Sequence, residues 1–588
     1  MNLLPGIPFA ALCSLCAASL IGVPALCNAA GETQKSASAQ KTEPKRPSGN
    51  EWSDPDKLQK KLASGISRNF KAWDKAEVDA FLKTEDARSD LAAWELIRAL
   101  KTGEADYKDL CESTLQKAPA RRFLAEFAAD PDWIEGYLYT APPDNAAFAV
   151  KMLRLFVDKD EEILTNETLK KIAVGVAGEF ARRGWTNDEF ESDPELSRKN
   201  GPKRIWRRYK FYAESWREHR LNTLFDNLDY WDMRIVVGVT GRTNSKGFGH
   251  EKSLRWGQDN VSLREDAYGS PRDIFQVPYR AFSKVGDSVQ TGDYYAAFEA
   301  WYGHTQLKMA RELGAVCGGV SHFGATAACA NGIPAVTMGE PAHCSFAVRI
   351  GGVWKPNNSL SWERGVHWRH WNDENHWQFL HLVQRIYGSE KKDTMESFRI
   401  AALAHIAASR KTPDPAVVIA LYDYALEKQP RNFQVWRDYF AFLNAQKQDK
   451  AFWKKIHKRV VNAFLPGLPD VGAIVLGKYV YPNLLPLTES DDERLALYVD
   501  FWSKTDGFGG TGRWDCESVW AFEVATLGNG AGANSYKAFR KNYNAKQPKA
   551  PEGSGAQKRY TDKIGEIVNK HKDYAVHFGR WQKGEPRK

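Results

Sequence analysis

Apolar positions recur at helical spacing through the first part of the chain. Leu91, Trp94, Leu96, Ile97 and Leu100 fall largely three and four residues apart, and Phe148, Met152, Leu153 and Phe156 repeat the pattern. This predicts an all-helical region over residues 56–225, broken at Ser192-Asp193-Pro194 and Gly201-Pro202 ahead of an aromatic segment from Trp206 to Trp216. The texture changes over 226–387. Met233-Arg234-Ile235-Val236-Val237-Gly238-Val239 is rich in β-branched residues and reads as a strand. A helix is expected from Tyr294 to Leu313, and a run of strand signals follows from Ile333 to Trp354. Over 388–545 the helical period returns, predicting packed helical hairpins. The pattern as a whole is α+β: a mixed α/β unit flanked by all-α regions.

Composition changes this picture at the two ends. The 588 residues are 43% hydrophobic and 26% charged, which excludes wholesale disorder and a collagen-like repeat. Residues 1–30 contain no Lys, Arg, Asp or Glu, and a mostly apolar stretch from Ile7 to Leu26 ends at Cys27-Asn28-Ala29-Ala30. This predicts a secretory signal cleaved near Ala29 or Ala30, although the usual basic start is missing. Secretion, or a periplasmic or cell-surface location, is therefore expected. A lipid anchor is disfavoured, because Cys13, Cys16 and Cys27 each follow a bulky leucine. Residues 31–55 are Ser-, Lys- and Pro-rich and read as a disordered leader. No other uncharged apolar run is long enough to span a bilayer, so an integral membrane protein is not expected. The net charge is +9, yet residues 546–588 carry +6 of it. A basic tail of this kind reads as a solvated end, with contact to an anionic surface as the alternative; a nucleic-acid groove would need the charge on one folded face.

The signal removes three of eight cysteines and leaves Cys111, Cys317, Cys329, Cys344 and Cys516. An odd number implies at least one unpaired thiol. Cys317 lies in Gly314-Ala315-Val316-Cys317-Gly318-Gly319-Val320-Ser321-His322, where small residues surround it and a helix is predicted to begin. Helix-start amides favour a thiolate and stand ready to bind an oxyanion. The base this thiol needs is His343, which opens the alternating segment His343-Cys344-Ser345-Phe346-Ala347-Val348-Arg349-Ile350. Gly351-Gly352 then predicts a tight hairpin into Val353-Trp354-Lys355. With Ile350 opposite Val353, Ser345 faces Asn358, and alternation gives His343 the same face. Asn358 then orients the imidazole; an odd-length turn would hand that role to Asn357. Cys344 goes to the other face, and Cys329 is expected to pack rather than pair.

Ala315-Val316-Cys317, the downstream Gly332-Ile333-Pro334-Ala335, and a histidine followed by Gly351-Gly352-Val353-Trp354 resemble the transglutaminase-like superfamily of papain-type cysteine enzymes. The resemblance covers about residues 300–362. It implies a Cys-bearing helix on a small antiparallel sheet, with Cys317 as nucleophile, His343 as base and Asn358 as orienting residue. It calls for no cofactor. Asn stands where that family usually has Asp, which still fixes the ring but stabilises the imidazolium less. Tyr422, Ala425, Pro430 and Trp436 resemble part of a tetratricopeptide repeat, and the outer regions are loosely similar to large exported bacterial proteins.

Other residues are weaker candidates. His322, Gln306 and Trp362 are placed as substrate-lining, with Tyr302 and His304 on the same approach helix as Gln306. His367, His370, His376 and His381 crowd among tryptophans, and read as a wall of the cleft rather than a metal site. Gly507-Phe508-Gly509-Gly510-Thr511-Gly512 lacks the lysine of a phosphate loop and reads as a surface loop. The expected activity is attack on an amide in a peptide, a peptidoglycan stem or a glycoprotein. The alternative is a silent scaffold whose helical flanks bind peptide or carbohydrate.

Overall fold

Capping residues and buried faces set the helices of the N-terminal region. In the computed structural model, residues 47–84, 86–140, 145–182, 201–239, 251–261, 277–282, 286, 306–340, 343–357, 391–464, 472, 475–490, 493 and 496–497 are described. Helix α1 (Pro55–Ser67) starts where the Asp54 carboxylate accepts the Lys57 N–H and a proline takes the first turn. Helix α2 (Lys75–Leu82) is capped the same way by Asp74. Next come α3 (Ala87–Thr102), α4 (Glu104–Asp109), α5 (Ala118–Ala129), α6 (Pro131–Thr140), α7 (Ala146–Lys159), α8 (Glu167–Arg182) and α9 (Gly201–Arg217). The predicted periodicity is realised: Leu96, Ile97 and Leu100 of α3 and Leu153 and Phe156 of α7 are fully buried. Order also begins before residue 55. Glu51–Ser53 form a 3-10 turn with Trp52 fully buried, so the end of the expected leader is part of the fold.

The segment read as a strand at Met233–Val239 is instead a helix. Helix α10 (Tyr230–Val237) is capped by the Asp229 carboxylate, which accepts the Asp232 N–H, and every residue of the helix is buried. Ile235, Val236 and Val237 are β-branched and buried, so this stretch carries no helical period and mimics a strand. Buried charges secure it. Arg234 Nε donates to Glu179 on α8 at 2.9 Å, and Arg208 Nη1 on α9 donates to the carbonyls of Val237 and Val239 at 2.8 and 3.0 Å. Helix α11 (Glu251–Asn260) follows.

The sheet is confined to a short stretch. Helices α12 (Gln306–Leu313) and α13 (Cys317–Ala330) lead into strands β1 (Ala335–Glu340), β2 (His343–Ile350) and β3 (Val353–Asn357), an antiparallel sheet in the order β1-β2-β3. The C-terminal helices are α14 (Lys391–Ala408), α15 (Pro415–Lys428), α16 (Phe433–Asn444), α17 (Lys450–Phe464) and the single turn α18 (Tyr481–Leu484). Helices α14 to α16 pack in succession as expected for hairpins. Tyr422 stacks on Tyr439 at 4.9 Å, and Trp436 Nε1 donates to the Pro430 carbonyl at 2.8 Å. The fold is therefore mostly helical, with one small sheet following a Cys-bearing helix. Among the described residues no helix is long and apolar enough to cross a membrane. The expected signal over 1–30, the loop at Gly507–Gly512 and the basic tail over 546–588 lie outside the described residues.

Candidate active site

Helix α13 is held firmly at one end and open at the other. At its C-terminal end, Gln258 Nε2 donates to the Ala330 carbonyl at 2.8 Å, the Tyr212 hydroxyl to that of Cys329 at 3.2 Å, and Asn331 Nδ2 to that of Ala327 at 2.9 Å. These bonds satisfy carbonyls that a helix leaves unpaired. Along the middle of α13, Gly324 leaves a gap in the face turned to the sheet. A Cβ on Gly324 would meet Phe346 Cζ at 2.4 Å, so glycine is what lets helix and β2 approach. Thr337 on β1 reaches the same helix, its Oγ1 lying 3.4 Å from His322 Nδ1.

The opposite end carries Cys317 as the first helical residue, with Val316 in extended conformation as its cap. The first intrahelical bond runs from Val320 N–H to the Val316 carbonyl, so the amides of Cys317, Gly318 and Gly319 precede the ladder. Cys317 is half-buried, and a Cβ on Gly318 would have nothing within 4 Å. A substrate carbonyl has room on that flank to meet both sulfur and amides. Ser321 Oγ donates to the Cys317 carbonyl at 2.7 Å, tightening this first turn. The other thiols differ in setting. Cys329 is fully buried, and desolvation pushes it up to about 12; burial likewise raises the half-buried Cys111. Cys329 is unpaired and packed, as expected from its place on the helix.

The segment leading into Cys317 is fixed by a contact that sequence reasoning missed. Gly314 turns with φ of +92°, and a Cβ there would sit 2.5 Å from Arg280 Cγ. Ala315 then forms a parallel bridge with Tyr279: its N–H donates to the Pro278 carbonyl at 3.0 Å, and its carbonyl accepts the Arg280 N–H at 3.0 Å. The bridging segment presents Tyr279 and Phe282, which are 65% and 62% exposed. The exposed ring of Tyr279 is thereby tied through backbone to the residue two before Cys317. The only local signal for this was Gly314 itself.

The hairpin has the expected register. Gly351 and Gly352 occupy positive φ at +59° and +76°, the two-residue turn that left-handed conformation allows. Ile350 pairs with Val353 and Phe346 with Asn357, so the turn is even. Along β2, position 344 shares its row with Phe346, which packs on α13, while position 343 shares the alternate row with Ala347 and Arg349. Cys344 is half-buried, and Arg349 Nη1 lies 3.1 Å from the Asp232 carboxylate on α10.

Cys317 opens α13, His343 opens β2 opposite Glu340, and Gln306 opens α12; the side chains of the last two lie outside the described ones. His322 is half-buried on α13. At ~100° per residue, it sits about 140° around the helix from Cys317. Asn358, Trp362, Tyr302, His304 and the His367–His381 cluster lie outside the described residues. Among those described, no group of His, Cys, Asp and Glu is arranged to hold a metal ion. Comparison of the chain with protein-family models, curated proteins and solved structures finds no match.

Proposed function

We propose that the protein is an exported thiol-dependent hydrolase or acyltransferase of the transglutaminase-like type, acting on an amide bond. The observation that carries this reading is Cys317 as the half-buried first residue of a helix lying on a three-stranded antiparallel sheet whose second strand opens at His343. Cys317 Sγ forms a bond to the substrate carbonyl carbon as His343 takes the thiol proton. The amides at the start of α13 hold the oxyanion. The C–N bond then breaks, and His343 returns the proton to the leaving amine. Water, or an acceptor amine, attacks the thioester and regenerates the thiol. Asn358 holds the imidazole through the ring nitrogen not facing sulfur.

Peptide, peptidoglycan-stem and glycoprotein amides are the substrate classes to test. A library of such amides should be turned over by the mature protein and not by Cys317→Ala. Equal turnover by the two proteins would overturn the assignment of the nucleophile.

A second reading is a silent scaffold whose helical flanks bind peptide or carbohydrate. The parity of β2 favours it, because position 344 rather than 343 falls in the row that packs on the Cys317 helix. On this reading His343→Ala leaves every measured property of the site unchanged.

A further inference from the structure

Most lysines and arginines of the helical regions sit beside carboxylates. Lys61, for example, pairs with Glu51, and Lys101 with Asp56. A cluster of four cations departs from this habit. Between α1 and the end of α14 lies an open cleft of about 640 Å³, and Lys60, Arg68, Arg410 and Lys411 all line it. None of these four enters an ion pair among the described residues, and no Asp or Glu lines the cleft. Arg410 is held in place over the ring of Trp73, 5.2 Å from its centroid. Ser64 and Ser67 add hydroxyl donors to the wall. Trp94 and Ile406 are buried beneath, so the floor is firm.

The plain explanation for cations here is compensation of helix ends. Helix α1 ends at Ser67 and α14 at Ala408, so both C-termini fall beside the cleft. Each such end is equivalent to roughly half a negative charge. Two of them leave about three of the four positive charges unbalanced. That surplus, together with the hydroxyl donors, selects for a ligand of several negative charges rather than for a neutral one. The cleft is also of small-molecule size, since such sites span roughly 300–1,000 Å³.

We propose that this cleft binds a small compound carrying two or more phosphate groups. The site is built from α1 and α14, not from the Cys317 helix or the sheet, so it stands or falls independently of the thiol chemistry.

The test is calorimetric titration of the full chain with sodium tripolyphosphate at low salt, with sulfate at matched ionic strength as the comparison. The wild type should bind tripolyphosphate at least about tenfold more tightly than sulfate. Arg68→Gln combined with Lys411→Gln should weaken binding about tenfold or more, and the exposed Lys60→Gln alone about threefold. Thermal midpoints in plain buffer within about 2 °C of wild type would show both variants folded. Absence of wild-type binding at millimolar tripolyphosphate, equal affinity for sulfate, or variants binding within twofold of wild type would overturn the proposal. The last result would place any binding elsewhere, such as on the basic tail.

Discussion

Gly324 shows how tightly a single position constrains this site. A methyl group there would overlap the Phe346 ring, which is fully buried and has nowhere to withdraw. Gly324→Ala is therefore expected to destabilise the protein by about 1–3 kcal/mol, read as a lowered urea midpoint. The residue scale is also where the sequence was most informative about chemistry. Small residues around Cys317 announced a helix start with open surroundings, and Cys329, further along the same helix, was legible as a packed thiol. The bridge between Tyr279 and Ala315 was not legible, because residues 36 positions apart leave no periodic trace in either segment.

At the scale of elements, local turn chemistry proved more readable than apolar content. Gly351-Gly352 between β-branched flanks specified an even hairpin, and the observed pairing of Ile350 with Val353 follows from it. Gly352→Ala forces a side chain into left-handed backbone and should cost about 1 kcal/mol in the same unfolding assay. Helix α10 was misread for the opposite reason: an apolar run buried on every side carries no period to distinguish helix from strand. The signal that settles it is Asp229, immediately before the helix, acting as the cap. Asp229→Ala should destabilise the protein by about 1 kcal/mol, and no effect would mean that packing alone holds this helix.

Across the molecule, the N- and C-terminal helical regions are joined through buried charge as well as apolar contact. Glu135 on α6, almost fully buried, accepts from Arg88 at 2.6 Å and from both Nε and Nη2 of Arg399 on α14 at 2.8 and 2.9 Å. Nearby, His405 on α14 places Nδ1 2.5 Å from Glu95 on α3 and Nε2 3.3 Å from Asp438 on α16. Burial and the adjacent Arg98 favour neutral His405, but the two carboxylates outweigh them and raise its pKa above the usual value. The sign follows directly. A raised folded pKa stabilises fully below the unfolded value of about 6.5, and that stabilisation is lost as pH rises through the folded value. The thermal midpoint of the wild type should therefore fall relative to His405→Gln as pH climbs from 6 to 9. Parallel curves would mean that His405 carries no charge there. None of these long-range pairs was readable from the chain, since each joins residues brought together only by helix packing.

The central claim, that Cys317 is a nucleophile served by His343 and Asn358, is tested most directly by residue-resolved alkylation. Iodoacetamide at pH 7, with modified peptides quantified by mass, should modify Cys317 at least about tenfold faster than Cys111, whose thiol burial holds in the protonated form. His343→Ala and Asn358→Ala should each remove that advantage. Equal rates at the two cysteines, unchanged when His343 is replaced, would contradict the account.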